Sequence, residues 1–208
     1  MLKRIVKWTL ILLGVGLIIV IGNVLYFLSA FGLFDKDYSV TDLVNNFNKK
    51  QTEIYELKKY FNEIVPKDKF VEIEFENGHK LSRFGIQPLD TTKGERIGLM
   101  FLEWDLKTNT SRMDSIIKPL GWTRETLRSI KEKLDNANCI QIESGDPSKI
   151  GFKRSGMGMY FFNVFAKPIS DSLRSHYNDS CTYILVNEKL VLEYGSGVYG
   201  SDCFYNKR

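Results

Sequence analysis

Residues 8–34 read WTLILLGVGLIIVIGNVLYFLSAFGLF and contain no Asp, Glu, Lys, Arg or His. A bilayer core of ~30 Å is spanned by ~20 apolar residues in helical form, so the run predicts a transmembrane helix over residues 8–34. Its polar side chains are limited to Thr9, Asn23, Tyr26 and Ser29 besides Trp8, which sits where an interfacial aromatic belongs. Lys3, Arg4 and Lys7 precede the run, while Asp35, Lys36 and Asp37 follow it. The positive-inside rule keeps residues 1–7 in the cytoplasm and sends residues 35–208 across the membrane. A cleaved signal peptide is the competing reading. Its apolar core would run ~7–15 residues and end in a small-x-small site, whereas Leu28-Ser29-Ala30 puts a bulky Leu there. Both readings place the same domain outside the cytoplasm. Asn23 is the strongly polar group in mid-span, either tolerated or bonded to a second helix.

Beyond the run lie roughly 170 residues, enough for one domain with one core. The chain's formal charge is +4, but three of its 29 Lys and Arg flank the membrane run, so the domain is nearly balanced against 25 Asp and Glu. No basic cluster is interleaved with aromatics, which sets nucleic acid aside as a partner. The three cysteines are Cys139, Cys181 and Cys203. In an oxidising compartment the favoured pair is Cys181–Cys203, which would fasten the Gly-rich tail to the last hairpin. Cys139 opens an apolar strand and is expected as a buried free thiol.

Local patterns predict an α+β domain with a mainly antiparallel sheet, one long amphipathic helix and several short helices. Ser39 to Asp42 has capping-box spacing, and Val40, Leu43, Phe47, Ile54, Leu57, Phe61 and Ile64 then recur at helical steps until Pro66. This spacing predicts one helix of about six turns, its seam interrupted only by Lys50. Residues 70–75 alternate and meet Asn77-Gly78, a hairpin signal that sets Glu72 opposite Arg83. Val71, Ile73 and Phe75 then face a core, and Glu72, Glu74 and Glu76 form a solvated face. Residues 87–96 read as a loop, 97–102 as a buried strand and 111–118 as a short helix. Thr123 caps a further helix with the stripe Leu127, Ile130 and Leu134. Strands are expected at 139–143, 150–153, 159–165, 182–186 and 190–194, with a helical turn after Ser170 and a Gly-rich tail from 195 onward.

Motifs that would carry chemistry are weak. Arg154-Ser155-Gly156-Met157-Gly158-Met159-Tyr160 holds a GxG, but a strand pattern follows it where a phosphate loop needs a helix. A tight turn is the plain reading. The functional one is a partner-binding loop formed by Arg154, Met157, Met159 and Tyr160, since Met and Tyr beside Gly make adaptable contacts. His79 adjoins the Asn-Gly turn. His176 has Asp171 and Asp179 close in sequence, and with Cys139 it makes a formal Cys/His pair. No metal or cofactor spacing is present, so neither a metal nor a cofactor is expected. Asn109 and Asn178 each begin a glycosylation sequon.

Together these readings describe a single-pass protein of a bacterial inner membrane, its main domain periplasmic or extracellular. The domain is expected to act as a non-catalytic protein-interaction module on another envelope protein, with an inhibitor or immunity-type binder among the forms this takes. A hydrolase using His176 with a carboxylate or Cys139, and an accessory subunit acting through its membrane helix, are the alternatives.

Overall fold

The computed structural model describes residues 2–30, 35–196, 200–201 and 203–204. Helix α1 covers Leu2–Ala30. Among the described residues no helix is long and apolar enough to cross a membrane. The expected continuation over 31–34 lies outside the described residues. Asn23 Nδ2 donates to the Ile19 carbonyl of its own helix at 2.8 Å, which engages part of its polar group without a second helix.

The expected long helix is two. Helix α2 spans Val40–Lys49 behind the Ser39/Asp42 capping box, and α3 spans Gln51–Ile64. Lys50 leaves helical geometry at φ −118° and ψ 20°, and its N–H bonds to the carbonyls of Asn46 and Phe47. The break follows a stretch rich in Asn, a poor helix former, and coincides with a charged residue, Lys50, on the seam. It lets Leu43 and Phe47 of α2 and Ile54, Leu57 and Phe61 of α3 enter the same core.

Ten strands form one sheet among the described residues, and every pairing is antiparallel. They are β1 Lys69–Asn77, β2 Lys80–Asp90, β3 Glu95–Arg96, β4 Phe101–Lys107, β5 Gln141–Glu143, β6 Ser148–Ser155, β7 Gly158–Val164, β8 Tyr183–Asn187, β9 Leu190–Ser196 and β10 Gly200–Ser201. The spatial path runs β10, β9, β7, β6, β5, β1, β2, β3, with β4 also on β2 and β8 also on β9. Helices α4 Ser111–Ile117, α5 Arg124–Asn136 and α6 Asp171–Arg174 complete the chain. Thr110 and Thr123 cap α4 and α5 through side-chain oxygens that accept the backbone N–H groups of Met113 and Thr126.

One face of the sheet carries the main core. Val71, Ile73 and Phe75 of β1, Ile142, Ile150 and Phe152, Phe162 of β7 and Leu192 of β9 meet the stripes of α2, α3 and α5 there. Each such side chain stabilises the fold by ~1.5–3 kcal/mol through its removal from water. Trp122 Nε1 donates to the Ile64 carbonyl at 2.9 Å, tying the start of α5 to the end of α3.

Three expectations for the sheet are corrected. The hairpin turn is Gly78-His79, because Asn77 pairs with Lys80. Asn77 Oδ1 accepts the His79 N–H at 2.9 Å, a side-chain turn that puts Asn77 one place before the bend. Glu74 therefore opposes Arg83 in register, and Glu72 reaches Arg83 along the diagonal at 2.9 Å. Within the expected loop at 87–96, β2 continues to Asp90 and β3 follows. Residues 97–102 are not a buried strand. Gly98 turns the chain at φ 67°, Leu99 is 94% exposed, and the strand that follows lies beside β2 with its other edge unpaired among the described residues. A short apolar run reads alike in a buried strand and at an exposed edge.

A disulfide joins Cys181 and Cys203, and Phe204 N–H donates to the Cys181 carbonyl at 3.1 Å. The bridged cysteines stand 22 residues apart, which the chain-entropy argument converts to ~3 kcal/mol. Replacing both Cys181 and Cys203 by serine is accordingly expected to lower the unfolding free energy by about 3 kcal/mol in urea titrations followed by tryptophan fluorescence. An unmoved midpoint would mean that the tail adds nothing to stability.

Candidate functional site

Ends of strands, read through the register, locate the sites. The β6–β7 turn at 155–158 marks one end of the sheet, and residues arriving from α1 dock there. Asp37 accepts from the Ser155 hydroxyl, and Asp35 Oδ2 accepts the Gly156 N–H at 3.1 Å. The β5–β6 turn at 144–147 marks the opposite end, with a cis Asp146-Pro147 peptide.

The 144–147 turn is held by α3. Asn62 Oδ1 accepts the Gly145 N–H at 2.8 Å, and Asn62 Nδ2 donates to Ser148 Oγ at 2.8 Å. Lys58 Nζ, almost wholly buried, donates to Asp146 Oδ1 at 2.8 Å and to the Val164 carbonyl at 2.5 Å. The same Asp146 oxygen accepts the Ala166 N–H at 2.8 Å, and Ser144 Oγ accepts the Val71 N–H at 3.0 Å. Beside this framework opens a cleft of about 790 Å³. Its apolar lining includes Val65, Pro66, Leu89 and Phe165, and five lysines border it: Lys58, Lys59, Lys67, Lys69 and Lys189. Acidic groups there are Glu63 and Asp146, the latter already engaged.

A second hollow of about 430 Å³ shares Leu89 and residues 144–146 with the cleft and opens on the other face of the sheet. Of the three glutamates that alternation places on a solvated face, Glu76 is exposed, but Glu72 and Glu74 lie under cover. Glu72, Glu74, Glu143 and Glu193 are all buried, Glu74 to 1% exposure. Each has a cation: Arg83 for Glu72, Arg154 for Glu74, Lys149 for Glu193 at 2.6 Å, and Arg96 for Glu143 at 3.7 Å. Asn163 Nδ2 adds a bond to Glu193 at 2.8 Å, and Gln141 Nε2 one to Glu143 at 3.2 Å. Arg96 also lies over the Phe70 ring at 3.4 Å. Burial pushes the Glu72 and Glu143 carboxyls above their ordinary value, and pushes the Tyr183 phenol up to about 12. Matched pairs leave this face close to neutral, which suits it to holding strands together as much as to holding a ligand.

The residues expected at a partner-binding loop are placed differently. Arg154 makes a two-pronged pair with Glu74 at 2.6 and 2.7 Å, while Met159 and Tyr160 are buried. Tyr160 stacks on Tyr194, and its hydroxyl accepts the Tyr38 N–H. The β6–β7 turn is thus an internal docking point for the chain coming from α1; of the four residues, Met157 is half-buried and Arg154 is exposed but paired with Glu74. The alternation rule already puts Met159 on a sheet face; what it cannot give is that this face is covered.

The pairing of Cys139 with His176 fails on topology. Cys139 lies in the main core, its thiol pushed up to about 12 by burial. His176 is exposed and packs against Tyr177 and Tyr183, which sit over Phe165, Ile169 and Val191. Val191 alternates with Leu190 and Leu192 of the main core, so the two groups occupy opposite faces of the sheet. Asp171 pairs with Arg174, and Asp179 Oδ1 accepts the backbone N–H groups of Cys181 and Tyr183. His79 lines a separate hollow with Arg124 and Arg128. Among the described residues no group of His, Cys, Asp or Glu is arranged to hold a metal ion.

Two measurements follow from the charged face. Arg154→Met strips a covered carboxylate of its cation and is expected to cost about 3 kcal/mol, with Glu74→Gln in the same chain restoring part of it. Equal stability of the single and double variants in urea would contradict the coupling. For Glu143, a folded value above the unfolded one means that the folded chain holds the proton more tightly. Its stabilising contribution is complete below the ordinary 4.5 and is lost as pH rises through the folded value. Glu143→Gln is therefore expected to gain stability relative to the parent as pH rises from about 4.5 to about 7.5. A difference that stays flat across that range would remove burial of this carboxylate as a stability term.

The chain matches no known protein family, no curated protein and no solved structure.

Proposed function

We propose that this chain is a single-pass membrane protein whose domain at 35–208 works outside the cytoplasm as a non-catalytic binding module of the cell envelope. The observation that carries the reading is the state of α1: its large apolar side chains from Leu13 to Phe27 are 49–77% exposed. A helix that is apolar all round and leaves such side chains this exposed needs an apolar solvent. The cationic flank at Lys3, Arg4 and Lys7 orients such a helix with its start in the cytoplasm. The Cys181–Cys203 disulfide suits an oxidising compartment, and Cys139 is buried where exchange cannot reach it.

Binding rather than catalysis is supported by where the reactive groups lie. The free thiol and His176 are separated by the sheet, and the buried glutamates are matched with cations. The cleft beside residues 144–147 is the surface best suited to a partner, because α3 and two strand ends fix its walls. A binder that neutralises another envelope protein or a toxin fits this arrangement. Action through the membrane helix alone is less well supported, since Asn23 already donates within α1.

Alkaline carbonate extraction tests the tether. The full chain is expected to stay with the membranes, and the domain to be open to protease added to spheroplasts. An arginine at the helix centre costs ~2.5–3.5 kcal/mol on insertion scales, so Ile18→Arg with Ile21→Arg is expected to move the protein to the soluble fraction. Parent protein found in the soluble fraction would overturn the reading.

A further inference from the structure

We propose that the cleft between α3 and the 144–147 turn binds an acidic peptide segment of a partner protein, one that also carries apolar side chains. This inference rests on the binding-module reading and adds the chemistry of the occupant.

Charge is the first argument. Lys59, Lys67 and Lys189 line the cleft and have no acidic partner among the described residues. Lys58 and Lys69 are held by Asp146 and Asp68, so the unmatched positive charge belongs to the other three. Glu63 is the single acidic side chain in the lining without a cation among the described residues. Lys59 and Lys67 are exposed and Lys189 half-buried, so their ammonium groups can meet an incoming anion without being pulled from existing pairs. Such a rim steers and selects an anionic partner.

The floor is the second argument. Val65, Pro66, Leu89, Phe165 and Ala166 present an apolar base beneath that rim. A bare phosphate or a simple polyanion would leave this base wet, whereas a chain alternating carboxylates with apolar groups satisfies both parts. Preorganisation is the third. Asn62, Lys58 and Ser144 fix the 144–147 wall through bonds of 2.8–3.0 Å, so little ordering remains to be done on binding.

Position separates a peptide from a lipid headgroup. The chain reaches the domain at Ser155 and Gly156, whereas the cleft adjoins Phe165, at the far end of β7. The seven residues of β7 span ~23 Å at ~3.3 Å each. A cleft one strand length from the point where residues 35–37 dock is not adjacent to the segment that follows α1, which favours a peptide over a headgroup.

Fluorescence anisotropy on the full chain in neutral-lipid nanodiscs tests the proposal, with empty nanodiscs as the blank. The probe is a fluorescein-labelled decapeptide alternating Glu and Leu, compared with Gln-Leu and Glu-Ser decapeptides. The Glu-Leu peptide is expected to bind at least about tenfold more tightly than either. Lys59→Glu with Lys67→Glu, both at exposed positions, is expected to weaken it by about tenfold or more, and raising salt to about 0.5 M to weaken the parent likewise. Equal affinity for the Glu-Leu and Gln-Leu peptides, or an unchanged affinity in the double variant, overturns the proposal. Polyphosphate displacing the probe at lower concentration than unlabelled Glu-Leu peptide also overturns it, in favour of a phosphate polymer. A chain that stays in carbonate-washed membranes yet ignores the peptide sinks this inference alone. A chain that leaves the membranes sinks the tether while the peptide result stands.

Discussion

The ammonium of Lys58 joins three parts of the domain that are far apart in sequence. It reaches from α3 to the Asp146 carboxylate in the β5–β6 turn and to the carbonyl that ends β7, while the same carboxylate takes the Ala166 N–H. A cation so enclosed is costly unless every one of its contacts is good, and removing one partner strands the other. The geometry therefore holds as a unit. It fixes the height of α3 over the sheet, and with it one wall of the cleft, the shape of the 144–147 turn and the direction in which the chain leaves β7.

Much of the fold could be read from local patterns, because those patterns are short-range physics. Ser39 with Asp42 and Thr123 with Thr126 are capping arrangements that need only the residues around them. The alternation of Val71, Ile73 and Phe75 marks the core face of β1 without knowledge of its neighbours. The hairpin was misplaced by one position because the side chain of Asn77, and not its backbone, makes the turn. The break at Lys50 has local signals in Asn45, Asn46, Asn48 and the charge on the seam, but the continuous helical period of the apolar residues masks them.

The cleft was less legible. Lys58 and Asp146 are 88 residues apart, and Asn62 reaches Gly145 over 83. One local signal was present: Lys58 follows Ile54 by four residues and adjoins Leu57, which puts a charge on the buried stripe of α3. A lysine there must find a partner inside. The charged face of the sheet was hidden for another reason. Period-two alternation separates two faces, but it cannot say whether the polar one is wet, and Glu72, Glu74, Glu143 and Glu193 are covered.

Asp35 and Asp37 clasp the turn between β6 and β7 immediately after α1. That clasp joins the segment that follows α1 to the end of the sheet opposite the cleft. The cleft then lies about one strand length, ~23 Å, along β7 from the clasp. A single partner that touched both the clasp and the cleft would therefore have to span the length of β7.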